Sequence, residues 1–124
     1  MYIAIDTGEN ERIVFRFFSG KDWQRFEYPY QNEDALLVGL NELLKQHQAK
    51  LADITGLAVR VGKGRFTATR VAITMANTLA FALRIPVISY TESSPANLEK
   101  RLSETPSGQY AQAEYSAPAS IGKK

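Results

Sequence analysis

Arg60, Lys63, Arg65 and Arg70 gather around the glycines Gly62 and Gly64. Glycine accepts left-handed backbone at no steric cost, so Gly62-Lys63-Gly64-Arg65 reads as a loop. Thr67 carries N-cap chemistry for a helix that follows, and Thr69 is a poorer cap close behind. Free amides at a helix start, flanked by Lys63 and Arg65, are the chemistry of an anion site. A phosphate or an RNA backbone would suit it. A solvated loop with Arg70 paired internally uses the same residues, and the sequence leaves both readings open. No other catalytic constellation stands out. The chain has no cysteine and a single histidine, His47, which excludes thiolate zinc sites, cysteine nucleophiles and histidine clusters. Nuclease chemistry of the two-metal kind needs several acids converging on the metals. Only Asp6 falls at a strand end; Glu9, Glu11, Glu27, Glu33 and Asp34 show no spacing that demands a metal pair. There is no phosphate-binding G-x-x-x-x-G-K-[ST] and no nucleophile elbow.

The cationic loop needs a strand before it and a helix after it. Leu57-Ala58-Val59-Arg60-Val61 supplies the strand, and residues 68–83, free of proline and glycine, supply the helix. Ile85-Pro86-Val87-Ile88-Ser89-Tyr90 returns as a strand, with Pro86 near its start, where a missing N–H is tolerated. The helix is apolar on several sides. Val71, Met75, Leu79 and Ala82 line one side, Ile73, Ala76, Ala80 and Leu83 another, and Phe81 points in a third direction. A helix lying on a sheet needs one apolar stripe, so a second covered face is expected. Small alanines would let a helix of this chain or of a partner approach closely.

Ahead of this unit, residues 2–6, 13–18 and 23–30 are β-rich runs joined by the turns Asp6-Thr7-Gly8-Glu9-Asn10 and Ser19-Gly20-Lys21-Asp22, an antiparallel meander. Asn32 is the expected cap of a first helix whose stripe is Leu36, Leu37, Leu40, Leu43 and Leu44, with Glu33 and Asp34 in its first turn. Gly39 weakens that helix by roughly 1 kcal/mol and suggests a close helix–helix approach. His47 reads as a solvated residue at its end. Strands fed by helical crossovers pair in parallel. The order βββαβαβ therefore predicts an α/β fold, a single RNase H-like domain with a mixed sheet. We expect that domain over residues 1–92, a short helix within 93–104 begun by Ser94 and Pro95, and a mobile tail over 105–124.

At 124 residues the chain is one domain. A net charge of +2 is too small to argue for nucleic acid by itself. With no apolar run of membrane-spanning length and no signal peptide, the expected location is the cytoplasm, with no membrane partner.

The loop and its flanks resemble the TsaB-like (YeaZ) family, whose motif has the form GPGSFTG-[LI]-R. Gly62, Gly64, Phe66, Thr67 and Arg70 match it, and Ala76, Leu79, Ala80 and Ile85-Pro86 follow at the family's spacing. Ile3-Ala4-Ile5-Asp6-Thr7 is similar to the family's start, and Leu51, Asp53 and Ile54 lie where an L-x-D-[LI] segment leads into the motif strand. The resemblance covers about residues 1–95. Lys63, Arg65 and Ala68 depart from it, standing where the family has proline, serine and glycine. The resemblance implies an N-terminal domain of the actin-like ATPase superfamily, without the family's second domain. It also implies a non-catalytic scaffold for a TsaD-type protein in making threonylcarbamoyladenosine on tRNAs that read ANN codons. A TsaE-type ATPase is a further expected partner, tRNA is engaged indirectly, and no cofactor is bound. A small tRNA- or RNA-binding module using Lys63 and Arg65 is the alternative. Another is a weak nucleotide-binding ATPase, since Asp6-Thr7-Gly8 resembles the superfamily's first phosphate loop. The family pairs through its helical face, so Leu36, Leu40, Leu44, Ile73, Ala76, Asn77 and Ala80 are the expected interface, for TsaD or for a homodimer.

Overall fold

The structure, a computed structural model, describes residues 1–9, 11–32, 34–62, 66–92, 94–109 and 111, and within the helix that begins at Phe66 it leaves that residue's side chain aside. Strands β1 (Tyr2–Asp6), β2 (Arg12–Phe18) and β3 (Trp23–Pro29) form the antiparallel meander. Helix α1 (Ala35–Gln46) and a 3-10 turn (Leu51–Asp53) lead to β4 (Gly56–Arg60). Helix α2 (Phe66–Leu83), strand β5 (Val87–Tyr90) and helix α3 (Leu98–Ser103) complete the order. The sheet runs β3-β2-β1-β4-β5, with β1 parallel to β4 and β4 parallel to β5. This is the expected βββαβαβ arrangement with a short helix added.

Side chains alternate across a strand, so the register fixes two faces. Ile3 stands between Phe17 and Leu57, and Leu57 beside Val87. With Ile5, Ile13, Phe15 and Val59 they meet Leu36, Leu40, Leu43 and Leu44 of α1 and Ala72, Ile73, Ala76 and Ala80 of α2 in one buried cluster. On the other face Ala4, Ala58, Ile88 and Tyr90 pack under Leu98 and Leu102 of α3. Trp23 ties β3 to this helix, its indole N–H donating to Glu99 Oε1 at 2.8 Å.

Several local expectations are corrected. Asn32 does not cap α1 with its side chain; its carbonyl accepts the Ala35 N–H at 3.1 Å, and Asp34 is the N-cap residue. Helix α2 starts at Phe66, so Thr67 is inside it and exposed rather than its cap. Helix α3 is shorter than expected because Asn97 takes left-handed backbone (φ 72°) just before it. Ser94 instead accepts the Ala96 N–H in a turn at 3.2 Å. Gly39 marks a helix–sheet approach, not a helix–helix one: a Cβ there would come within 2.8 Å of Phe15 and 3.1 Å of Tyr28. His47 is exposed but covers Phe17, with ring centroids 4.0 Å apart.

Candidate functional site

Because β1, β4 and β5 are parallel, their C-terminal ends lie together, and Asp6, Arg60 and Tyr90 occupy them. Ile5 stands opposite Val59 and Arg60 opposite Tyr90, so the three residues are neighbours across the sheet. Arg16 reaches them from β2, where it stands opposite Ala4. Asp6 is 1% exposed. Its Oδ2 accepts from Arg60 Nη1 at 3.0 Å and faces Arg16 Nη1 at 3.6 Å, and its Oδ1 accepts the Gly8 N–H at 2.8 Å. Tyr90 is equally enclosed, and burial pushes its phenol pKa up. The charge of Asp6 adds to that rise, while the two arginines oppose it. Arg16 Nη1, Arg60 Nε and the Tyr90 hydroxyl are buried without a hydrogen-bond partner among the described residues.

This geometry decides what Asp6 can do. One carboxylate serves two guanidiniums and a main-chain amide. A metal could be held only by breaking a buried ion pair, which leaves an uncompensated charge. Thr7 is 2% exposed, and its hydroxyl lies 3.4 Å from that of Thr69 on α2. Asp6 and Thr7 therefore sit inside the fold, engaged with their neighbours, rather than in an open phosphate loop. Among the described residues no three of His, Cys, Asp or Glu come together as a metal site would need.

The loop motif is placed in part. Gly62 has φ 82°, the left-handed region that favours glycine, while a Cβ there would make only an ordinary 3.6 Å contact with Thr91. The requirement at Gly62 is conformational, not steric. Thr67 and Arg70 are exposed on α2. Lys63, Gly64, Arg65 and the side chain of Phe66 lie outside the described residues, and the anion-site reading of Lys63 and Arg65 falls there with them.

The expected interface is corrected by burial. Leu36, Leu40, Leu44, Ile73, Ala76 and Ala80 are all under 9% exposed and pack in this chain's own core, where no partner reaches them. Asn77 is half-buried, and its amide binds the main chain of Ala111. Among the described residues the large apolar side chains that do face outward are Leu37 at 50%, Val38 at 43%, Leu51 at 38% and Phe81 at 75% exposure. The run Leu36-Leu37-Val38 carried this signal, since three consecutive apolar residues cannot all lie on one helix face. The cluster Arg16–Asp6–Arg60 was not foreseen; its signal was a charged residue inside apolar β2 and one at the end of each of apolar β1 and β4.

The family described as "TsaD: tRNA N6-adenosine threonylcarbamoyltransferase" matches residues 31–94, more than half of the chain. The chain belongs to the TsaD family. Among solved structures it is similar to YeaZ from Pseudomonas aeruginosa, with a TM-score of 0.64 and 27% sequence identity over 81% of this chain and 46% of that one. A second structure, of an uncharacterized protein with similarity to peptidase YeaZ from Pseudomonas aeruginosa, agrees to the same extent, with a TM-score of 0.64 at 27% identity. The chain thus spans less than half the length of these structures, 46% of each. No curated protein matches it. The fold of this TsaD-family chain is that of an RNase H-like domain of the actin-like ATPase class, and the resemblance of the chain to YeaZ is supported. No helix among the described residues is long and apolar enough to cross a membrane.

Proposed function

We propose that the chain acts in threonylcarbamoyladenosine formation on tRNA, as a non-catalytic partner of a TsaD-type protein. The observation that carries the reading is the state of Asp6. At the strand ends where this fold would place its chemistry, the carboxylate is buried and held by Arg60 at 3.0 Å, with Arg16 at 3.6 Å. A group held this way supports structure rather than a metal or a phosphate. Family membership supplies the process, and the exposed apolar residues Leu37, Val38 and Phe81 supply the surface. Burying them in a complex would contribute roughly 1.5–3 kcal/mol for each side chain fully covered. A TsaE-type ATPase would join through the TsaD-type protein, and a homodimer would use the same surface in its absence.

The test is size-exclusion chromatography with light scattering, on the chain alone and mixed with the TsaD-type protein of its own organism. A heteromer that Leu37→Glu with Val38→Glu abolishes is the expected result. A chain that ignores the TsaD-type protein but binds tRNA, with binding lost on Lys63→Ala with Arg65→Ala, would replace the scaffold by an RNA-binding module. Hydrolysis of ATP by the chain alone would overturn the non-catalytic part.

A further inference from the structure

Arg16, Arg60, Asp6 and Tyr90 meet on one side of the sheet. Side chains alternate along a strand, so Asp6 shares a face with Ala4, and Arg60 with Ala58. Arg16 stands opposite Ala4 and Tyr90 opposite Arg60, which puts all four on the α3 side. Their charges do not balance. Asp6 Oδ2 accepts from Arg60 Nη1 at 3.0 Å and its Oδ1 accepts the Gly8 N–H, while Arg16 Nη1 stays at 3.6 Å. The two arginine side chains are only 12% and 13% exposed. One positive charge is therefore enclosed without a counter-charge among the described residues. The nearby acids are committed elsewhere. Glu9 and Glu27 hold Arg25, Glu27 also holds Arg12, and Glu92 faces Arg101. Tyr90 cannot supply the charge, because burial raises its phenol pKa and keeps it neutral.

The hydrogen bonds are as incomplete as the charge. Arg16 Nη1, Arg60 Nε and the Tyr90 hydroxyl are all buried without a partner. The two guanidinium nitrogens can only donate, and the hydroxyl can donate as well. Arg16 and Tyr90 face each other without an ordinary hydrogen bond between them. Enclosed donors without acceptors are costly, and an enclosed unpaired charge is more so. Water would satisfy the donors and leave the charge. An anion satisfies both. The count selects its kind: a carboxylate cancels a surplus of one, whereas a phosphate monoester carries about −1.5 to −2 near neutral pH and overshoots it. A carboxylate also offers two oxygens side by side, the spacing that a guanidinium fork matches.

We infer that Arg16, Arg60 and Tyr90 bind the carboxylate of a small monoanionic ligand. The carboxylate accepts from Arg16 Nη1, Arg60 Nε and the Tyr90 hydroxyl. The rest of the ligand lies in the pocket of about 400 Å³ at the end of β5, lined by Ser89, Tyr90, Thr91, Glu92 and Arg101. Arg101 and Glu92 offset one another there at 3.9 Å, so the surplus of the buried cluster is the charge the ligand meets. Asp6 keeps its own bonds and does not touch the ligand. The site belongs to this chain alone, so it stands or falls independently of any TsaD-type partner.

The test is urea unfolding of the full chain at about pH 7, with sodium formate or acetate replacing sodium chloride at constant ionic strength. The midpoint should rise with the logarithm of the carboxylate concentration, as for a ligand that binds only the folded state. Phosphate at the same ionic strength should give no such rise. Arg16→Met removes the surplus charge and leaves Asp6 paired with Arg60. This variant should be at least as stable as the parent in chloride and should lose the response to formate. Tyr90→Phe should need about tenfold more formate for the same rise, the effect of one lost hydrogen bond to a charged group. Arg25→Gln, on an exposed arginine, should keep the full response. Equal midpoints in formate and chloride would overturn the proposal, as would a response that survives Arg16→Met. A phosphate response equal to that of formate would overturn the assignment to a carboxylate. A marked loss of stability on Arg16→Met in chloride would mean that Arg16 is already neutralised within the chain, and would overturn it too.

Discussion

On the side of the sheet covered by α1 and α2, Ile3, Ile5, Ile13, Phe15, Leu57 and Val59 meet leucines and alanines, and every one of these strand residues is fully buried. On the side covered by α3, apolar packing under Leu98 and Leu102 gives way within one strand length to Asp6, Arg16 and Arg60. The first side is held by apolar area, at about 25 cal/mol for each Å² removed from water. The second depends on a carboxylate staying between two guanidiniums. Apolar packing tolerates small losses at many points. A buried ion cluster fails at one, because removing its anion strands two cations.

Asp6→Ala should therefore have the largest effect, about 3–5 kcal/mol of lost stability in urea unfolding. If the cost is unpaired charge, Asp6→Ala combined with Arg16→Met and Arg60→Met should recover most of it. A single substitution costing under about 1 kcal/mol would show that water already serves this cluster, and the contrast between the two sides would fall.

Gly39→Ala probes the apolar side. Alanine in a helix interior gains up to about 1 kcal/mol over glycine. Here its Cβ would meet Phe15 Cε2 at 2.8 Å, and Phe15 is fully buried. Overpacking of this kind costs about 1–3 kcal/mol, so a net loss of about 1 kcal/mol and a lower melting temperature are expected. A higher melting temperature would mean that Phe15 and Tyr28 shift to make room, and that the close packing of α1 on the sheet is not needed.

The same contrast explains what could be read in advance. Ile3, Ile5, Phe15, Phe17, Leu36, Leu40, Leu43 and Leu44 repeat at the periods of strand and helix, so the element order and the α1–α2 side were legible. Which stripe of α2 meets the sheet was not, because Ile73, Ala76, Val71 and Met75 are apolar in several directions and only the crossover geometry chooses among them. Ile73, Ala76 and Ala80 were misplaced as interface residues for that reason, whereas Leu36, Leu40 and Leu44 are simply the core stripe that their spacing describes. Asp6 looked like a turn residue because its two partners lie 10 and 54 positions away, at Arg16 and Arg60. No local pattern carries a pairing of that range. The bond between Asn77 and Ala111 escaped for the same reason: a polar residue in a helix and an alanine in a Ser- and Gly-rich segment announce nothing separately.

The smallest effect, and the sharpest on mechanism, is expected from Tyr90→Phe. The hydroxyl is buried without a hydrogen-bond partner among the described residues, so removing it at neutral pH should leave stability within about 1 kcal/mol. Alkaline solution should separate the two proteins. Burial, and after it the charge of Asp6, raises the phenol pKa above its ordinary value of 10.0. A raised folded-state value means that the unfolded chain loses the proton first. The stability linked to Tyr90 is then fully present below about pH 10 and declines as the pH rises above it. Tyr90→Phe should remove that part of the decline, seen as a shallower fall of the urea midpoint between about pH 9 and 11. Curves that stay parallel through this range would mean that the phenol titrates in the folded protein as it does in the unfolded chain. The strand-end cluster would then be open to water, and its difference from the α1–α2 side would be one of composition alone.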